Sequence, residues 1–323
     1  MPIISTDLRF VDRLGAWKAR WGIGRMSYLV PPGLYGIGSP GPDDPVVVTA
    51  NYKMSYDLVR RALGGRSVWL LVLETFGINV WCAAGKGTFG TDEIVRRVKM
   101  TGLAGVVGHR TLILPILGAP GVAAHLVARR CGFRVRYATI RAADLPEYLD
   151  NGMVTTPDMG QLTFTARERL VLVPIELVTA VKWAVPVMAL MVAISLLSGE
   201  GFSFSTLVSP VVLCAGTVMA GAVAAPVLLP VLPGRSFAVK GAITGGGWSA
   251  LLLWAGWGSG RWLDAMALVL AVTSVSAFLA LNFTGSTPFT SRSGVKKEMR
   301  LGLPVMAASL LAALFLWIAA RLS

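Results

Sequence analysis

The sequence predicts an α/β domain over residues 1–177, followed by an all-α transmembrane domain of five helices over residues 178–323. Two observations predict it. Charge is divided unevenly, with 21 basic and 13 acidic residues up to Val173 but only 9 and 4 from Glu176 onward. The first part also alternates β-rich runs with amphipathic stretches, whereas the second is built of charge-free apolar runs of bilayer-crossing length.

In chain order, Leu8, Val11, Leu14, Trp17 and Trp21 recur on one face of a basic helix, which either lies on a membrane surface or packs on the domain. Residues 45–51 (PVVVTAN) read as a buried strand. Ser55 can cap a helix running to Leu63, and Gly64-Gly65 ends it. Residues 68–75 (VWLLVLET), 111–116 (TLILPI) and 133–140 supply three more strands. Helices are expected over residues 121–130 and 144–150. Such alternation argues for a sheet that binds ligands at its strand ends.

Five segments are long enough to span a bilayer: residues 178–198, 210–232, 241–257, 263–281 and 301–320. The loop after the first span has no Lys or Arg, and the third loop has only Arg261. The second carries Arg235 and Lys240, and the fourth Arg292, Lys296, Lys297 and Arg300. Loops two and four are therefore expected on the cytoplasmic side, with the first domain cytoplasmic and the C-terminus outside. Trp183, Trp257, Trp262 and Trp317 lie near segment ends, as interfacial anchors do. Lys182 and Asp264 also sit near segment ends rather than at mid-membrane. The Gly245-Gly246-Gly247 run reads either as close helix packing or as an unwound substrate site.

Several function classes are disfavoured. The net charge of +13 has no basic run interleaved with aromatics, so it is read as attraction to anionic lipids and not as a nucleic-acid surface. Cys82, Cys131 and Cys214 form no C-x-x-C pair, so neither an iron–sulfur site nor a disulfide framework is expected. The opening residues are charged and lack an apolar core, so no signal peptide is expected. Val80 and Gly87 break the phosphate-loop pattern around Gly85-Lys86, and Gly36-x-Gly38 precedes the first predicted strand. His109 and His125 lack acidic partners at useful spacing.

The chemistry-bearing segment follows the second predicted strand: Asn79-Val80-Trp81-Cys82-Ala83-Ala84-Gly85-Lys86. Asn79 is a good N-cap and places Cys82 at the third helical position, where free N–H groups and the dipole favour a thiolate. Ala83, Ala84 and Gly85 give the helix a low profile against which a flat ligand can lie. A thiolate there suits a soft metal. The alternative is a small buried hydrophobe.

This octapeptide resembles the cap-helix signature of the mercury-methylating corrinoid proteins, the HgcA family. The flanking blocks PGLYGIG, VTANYKMSYDLVR, LILPILGAPGVAAH and RAADLPEYLD are similar to that family too. More distantly, the domain is similar to the corrinoid-binding domain of the corrinoid iron–sulfur protein large subunit. The resemblance implies a Rossmann-like corrinoid-binding domain and a cobalamin-type cofactor, with Cys82 as the lower axial ligand to cobalt and the catalytic residue. It implies contacts to the cofactor from Asn79 through Lys86 and from Asn51, Tyr52 and Lys53. It further implies Hg(II) as methyl acceptor, a methyltetrahydrofolate-type methyl donor and a small ferredoxin as electron donor. Two rival readings are a membrane-tethered methyl carrier of one-carbon metabolism and a cobalamin-binding sensor or transport component.

Overall fold

The computed structural model describes residues 1–197, 204–258 and 261–322, so Ser198 and residues 199–203 of the first expected loop lie outside the described residues. The chain divides into two compact units, Met1–Thr163 and Phe164–Ser323.

The first unit is built on a six-stranded mixed sheet in the order β1-β2-β4-β3-β5-β6. Strands β3 (Val46–Ala50) and β4 (Val68–Leu73) form because uninterrupted β-branched and leucine runs can be covered on both faces, and every residue of both is buried. They pair in parallel with each other, as do β5 (Thr111–Leu114) and β6 (Arg134–Tyr137). The four predicted strands are therefore present. The sequence reading missed β1 (Ile3–Ile4) and β2 (Gly33–Ile37), which pairs antiparallel with β4. β1 is only two residues long, and the glycines of Gly33-Leu34-Tyr35-Gly36 hide the alternation of β2.

Alternation within the strands splits the core in two. Val48, Leu71, Leu73 and Leu114 face one layer, with Ala83, Phe89, Ile94 and Val127 from helices α3 (Val80–Lys86), α4 (Thr91–Met100) and α5 (Ala124–Cys131) and the stretch between α3 and α4. Val47, Leu70, Val72 and Ile113 face Tyr56 and Tyr148 of α2 (Lys53–Ala62) and α6 (Leu145–Asp150). Helix α2 starts two residues before Ser55, so Ser55 is not its cap. The Lys53 N–H is instead met by the Tyr28 carbonyl, and Leu29 bridges Tyr52.

Helix α1 (Phe10–Arg20) is held to α2 by a buried ionic cluster. Lys53 Nζ lies 2.7 Å from Asp12 and 2.6 Å from Asp57, and Arg60 reaches the same two carboxylates at 3.0 and 2.7 Å. Burial alone would raise the Asp12 carboxyl. Hydrogen bonds from Lys53, the Arg9 amide and Arg60 overcome that and hold it at about 2, below its ordinary 3.8.

The second unit contains α7 (Ala166–Leu197), α8 (Phe204–Val218), a π-helical stretch (Met219–Ala224) running into the short α9 (Ala225–Val227), then α10 (Phe237–Trp254), α11 (Trp262–Asn282) and α12 (Arg292–Leu322). Among the described residues, four helical segments are long and apolar enough to cross a membrane: Ala166–Ile194, Val208–Val227, Trp262–Ser286 and Ser293–Leu322. The third expected span, residues 241–257, is not among them. That span is the 18-residue helix α10, whose hydropathy is diluted by Lys240 and by Gly245-Gly246-Gly247. Trp257 falls in the turn beyond it.

Helix α10 is continuous through its glycine triplet. A Cβ at Gly241 would stand 2.6 Å from the Ser276 carbonyl oxygen, and one at Gly245 would stand 3.0 Å from Thr273 Cα, so α10 and α11 meet backbone to backbone. Ser276 Oγ donates to the Gly241 carbonyl at 2.7 Å. Glu298 of α12 accepts from Ser236 Oγ and the Ala238 N–H at the start of α10.

Because the Asp12 carboxyl is depressed in the fold, its contribution is complete above about pH 4 and disappears as pH falls through about 2. It amounts to about 2 kcal/mol. Acid titration followed by hydrogen exchange should therefore release α1 only below about pH 3. Arg60→Met, which removes the guanidinium shared by Asp12 and Asp57, should cost about 3 kcal/mol in denaturant unfolding.

Candidate ligand site at the strand ends

The chain leaves β3 towards β4 on one side and leaves β5 towards β6 on the other, so the strand order reverses between β3 and β5. Their pairing has a single register partner, Val47 with Ile113. Open sheets bind ligands at such a point, beyond the strands' C-terminal ends. A cavity of about 310 Å³ lies there. Its walls come from Thr49 on β3, Ser55, Leu58 and Val59 on α2, Asn79, Val80 and Trp81 at α3, Leu114 at the end of β5, Pro115 and Leu117 after it, and Thr139 and Ile140 after β6.

One wall atom is chemically unmet. Thr49 is almost wholly buried, and its Oγ1 has no hydrogen-bond partner within the protein. Buried hydroxyls are normally paired, so a lone one on a cavity wall fits a polar group brought by a ligand.

The turn from β4 into α3 is closed by Asn51, which is fully buried. Its Oδ1 accepts from the Thr75 and Gly77 N–H groups at 3.0 and 3.3 Å, and its Nδ2 donates to Glu74 Oε1 at 2.7 Å. The same Glu74 oxygen accepts from the Phe76 N–H, and Glu93 accepts from the Glu74 N–H. Burial opposes the Glu93 charge, yet the Glu74 amide with Arg96 and Arg97 holds its carboxyl below the ordinary value. These bonds secure Phe76 and Gly77 at φ of 55° and 71°.

Helix α3 follows as expected. Asn79 Oδ1 accepts from the Cys82 N–H at 2.9 Å, and Gly87 ends the helix at φ 82°. Cys82 occupies the third helical position with its thiol exposed. Ala83 and Ala84 are buried, so the outward face is formed by Trp81, Cys82, Gly85 and Lys86. The two alanines serve close seating instead. A Cβ at Gly121 would meet the Phe89 carbonyl oxygen at 2.2 Å and Ala84 Cα at 3.0 Å, and one at Gly118 would meet Phe89 Cε1 at 2.5 Å. The helix thus sits directly against the 3-10 stretch Ile116–Gly121.

The sequence-selected residues fall into two groups. Asn79, Val80 and Trp81 line the cavity, and Cys82, Gly85 and Lys86 are exposed on the same short helix. Asn51, Tyr52 and Lys53 do not line it. The Asn51 carboxamide is spent on the turn, Tyr52 is buried with its hydroxyl on Met54 Sδ, and Lys53 belongs to the ionic cluster. Thr49 escaped the sequence reading, although a lone hydroxyl within PVVVTAN was a signal for it. The His109 ring bridges the Asp44 carbonyl and the Thr111 N–H, a structural role. No group of three or more His, Cys, Asp or Glu able to hold a metal occurs among the described residues.

Residues 24–126 match the family model described as CO dehydrogenase/acetyl-CoA synthase delta subunit. The matched block contains β2 to β5, α2 to α4, Thr49 and Cys82. The gamma subunit of the acetyl-CoA decarbonylase/synthase complex from Archaeoglobus fulgidus is 40% identical over 97 residues, 29% of this chain and 21% of that subunit. Its counterpart from Methanopyrus kandleri is 32% identical over 123 residues, 38% of this chain and 26% of that subunit. The counterpart from Methanocaldococcus jannaschii is 35% identical over 97 residues, covering 29% of this chain. The N-terminal domain is thus related to these subunits, while the chain spans about a fifth to a quarter of their length.

Gly121→Ala should push α3 off the Ile116–Gly121 stretch, because its new methyl meets backbone atoms that cannot rotate away. The expected cost is about 2 kcal/mol, read by chemical denaturation, with Cys82 becoming markedly more reactive to a thiol probe. Gly105→Ala, which meets nothing within 4 Å, should leave both unchanged.

Proposed function

We propose that this chain is a membrane-anchored corrinoid protein that transfers a methyl group to Hg(II), with Cys82 as the cobalt ligand. The observation that carries the reading is the capped α3 helix, which presents an exposed thiol beside an apolar cavity at the reversal of strand order. The likeness of Asn79–Lys86 to the mercury-methylating signature supports the acceptor. The similarity of residues 24–126 to acetyl-CoA synthase and decarbonylase/synthase subunits supports the cofactor class.

When bound, a corrinoid supplies a methyl group carried on cobalt. The chain's own residues fit it. At about 310 Å³ the cavity matches the small end of ligand sites, enough for an appendage or one edge of so large a cofactor. The macrocycle would then lie across the outward face of α3, where Gly85 adds no side chain. Thr49 Oγ1 is free to pair with a polar side arm, and Val80 and Trp81 exclude water from that side. Cys82 Sγ is the soft donor, suited to cobalt, and Asn79 holds its backbone N–H, which fixes the turn of helix from which the thiol projects. None of the three cysteines stands in a C-x-x-C pair, so electrons are assigned to a small ferredoxin-type partner and the methyl group to a methyltetrahydrofolate-type donor. The relatedness to acetyl-CoA complex subunits specifically favours a second reading, a methyl carrier of one-carbon metabolism.

Cys82→Ala should remove sulfur-to-cobalt absorption and abolish methylmercury formation, whereas Cys131→Ala and Cys214→Ala should leave both intact. Cys82→His should retain bound cobalt yet methylate Hg(II) poorly. Wild-type methylation by Cys82→Ala overturns the assignment. Cobalt loading without methylmercury from the wild-type chain, supplied with reduced ferredoxin, selects the carrier reading.

Helix α10 is assigned as the fifth crossing. Eighteen residues span about 27 Å, and its glycine face is seated on the apolar α11. Reporters at Met1 and at Leu322 should therefore lie on opposite sides of the membrane, with Met1 cytoplasmic. Both reporters on one side would remove α10 from the crossings.

A further inference from the structure

Helix α1 turns its apolar stripe away from the domain. Phe10, Leu14, Trp17 and Trp21 follow one another at i, i+4, i+7 and i+11, a single face of an α-helix. Phe10 is 76% exposed, Trp17 63% and the neighbouring Val11 70%. The face turned to the protein carries Asp12, Gly15 and Ala19 instead. Asp12 enters the ionic cluster, Ala19 is wholly buried, and Gly15 lies so close to Tyr28 that a Cβ would stand 2.5 Å from its hydroxyl. The orientation is therefore fixed by buried charge pairs, and Gly15 lets the Tyr28 ring lie close against the helix.

A helix with tryptophan and phenylalanine on its free face, flanked by basic residues, is the form that lies in a bilayer interface. Between Met1 and Ser27 the chain carries Arg9, Arg13, Lys18, Arg20 and Arg25 against Asp7 and the buried Asp12. Arg13 and Lys18 are exposed on either side of the stripe. Among the described residues, four helical segments are long and apolar enough to cross a membrane, so insertion of those segments would tether this domain to a bilayer.

We infer that the outward face of α1 docks on the anionic surface of the membrane in which the chain is anchored. Phe10, Leu14 and Trp17 enter the headgroup boundary, Arg13 and Lys18 meet lipid phosphates, and the buried ionic cluster transmits that attachment to α2 and the cavity wall. Each added basic residue near such a surface strengthens the attraction, and salt weakens it. This inference is independent of the corrinoid assignment.

The test uses the full chain reconstituted into vesicles of phosphatidylcholine mixed with phosphatidylglycerol. A benzophenone amino acid replaces Phe10, Leu14 or Trp17 in turn, and Met100 or Val154, exposed apolar residues elsewhere on the domain, as controls. After irradiation, mass spectrometry reads which adduct forms. Lipid adducts should exceed those at the controls severalfold at positions 10, 14 and 17. They should fall severalfold in phosphatidylcholine alone, in high salt, and in an Arg13→Glu/Lys18→Glu background. Lipid yields equal to the controls, or a predominant crosslink to a second copy of this chain, overturn the inference. So does a lipid yield insensitive to phosphatidylglycerol, because the basic flanks would then play no part.

Discussion

The site depends on one carboxamide. Asn51 ends β3, and its buried oxygen and nitrogen close the turn that carries the chain from β4 into α3. Without those bonds the amides of residues 75 and 77 would be buried without partners, at about 1–3 kcal/mol each. Phe76 would then have no reason to hold a positive φ. Everything that presents Cys82 lies downstream of that turn: the Asn79 cap, the seating of Ala84 on Gly121, and the left-handed stop at Gly87. A neutral amide suits this role better than a charged residue, because one side chain both accepts and donates in a place where an ion would be costly.

The ionic cluster of Asp12, Lys53, Asp57 and Arg60 does a comparable task on the other side of β3. It is buried, complete and doubly bridged, so it fixes how α1 is rotated more than it adds stability. That rotation leaves the face of α1 that carries Phe10 and Trp17 exposed. Asn51 and Lys53, two residues apart in the chain, thereby orient two different helices, one beside the ligand cavity and one at the outer surface.

Much of this was legible in the sequence, and the failures have physical causes. PVVVTAN and VWLLVLET read as buried strands because strands covered on both faces need no alternation. The Asn79 cap and the position of Cys82 were legible because a cap is a local interaction. Asn51 and Lys53 are expected beside a ligand, and the structure shows their polar groups engaged within the protein. Nothing local reveals that Asn51 is satisfied by a turn more than twenty residues later, or that Lys53 pairs with Asp12 some forty residues earlier. Periodicity gave the stripe on α1 but not its outlook, since a moment identifies a face and not its neighbour. For α10, length and glycine spacing were readable, yet its dilute hydropathy sets it apart from the four more apolar helical segments.

The strand order also bears on how the domain comes off the ribosome. Strands β1 to β4 form one side of the sheet from the first 73 residues alone, while β5 and β6 are synthesised later and join through the single register pair of Val47 and Ile113. The early half can condense as a unit, but it then holds the bare hydrogen-bonding edge of β3, an apolar Val-Val-Val-Thr-Ala run, until residue 111 emerges. Such an edge is a template for pairing with another nascent chain. Translation speed between residues 73 and 111 thus sets how long it stays open to aggregation. Chaperone demand should concentrate on that interval, well before α7 is translated.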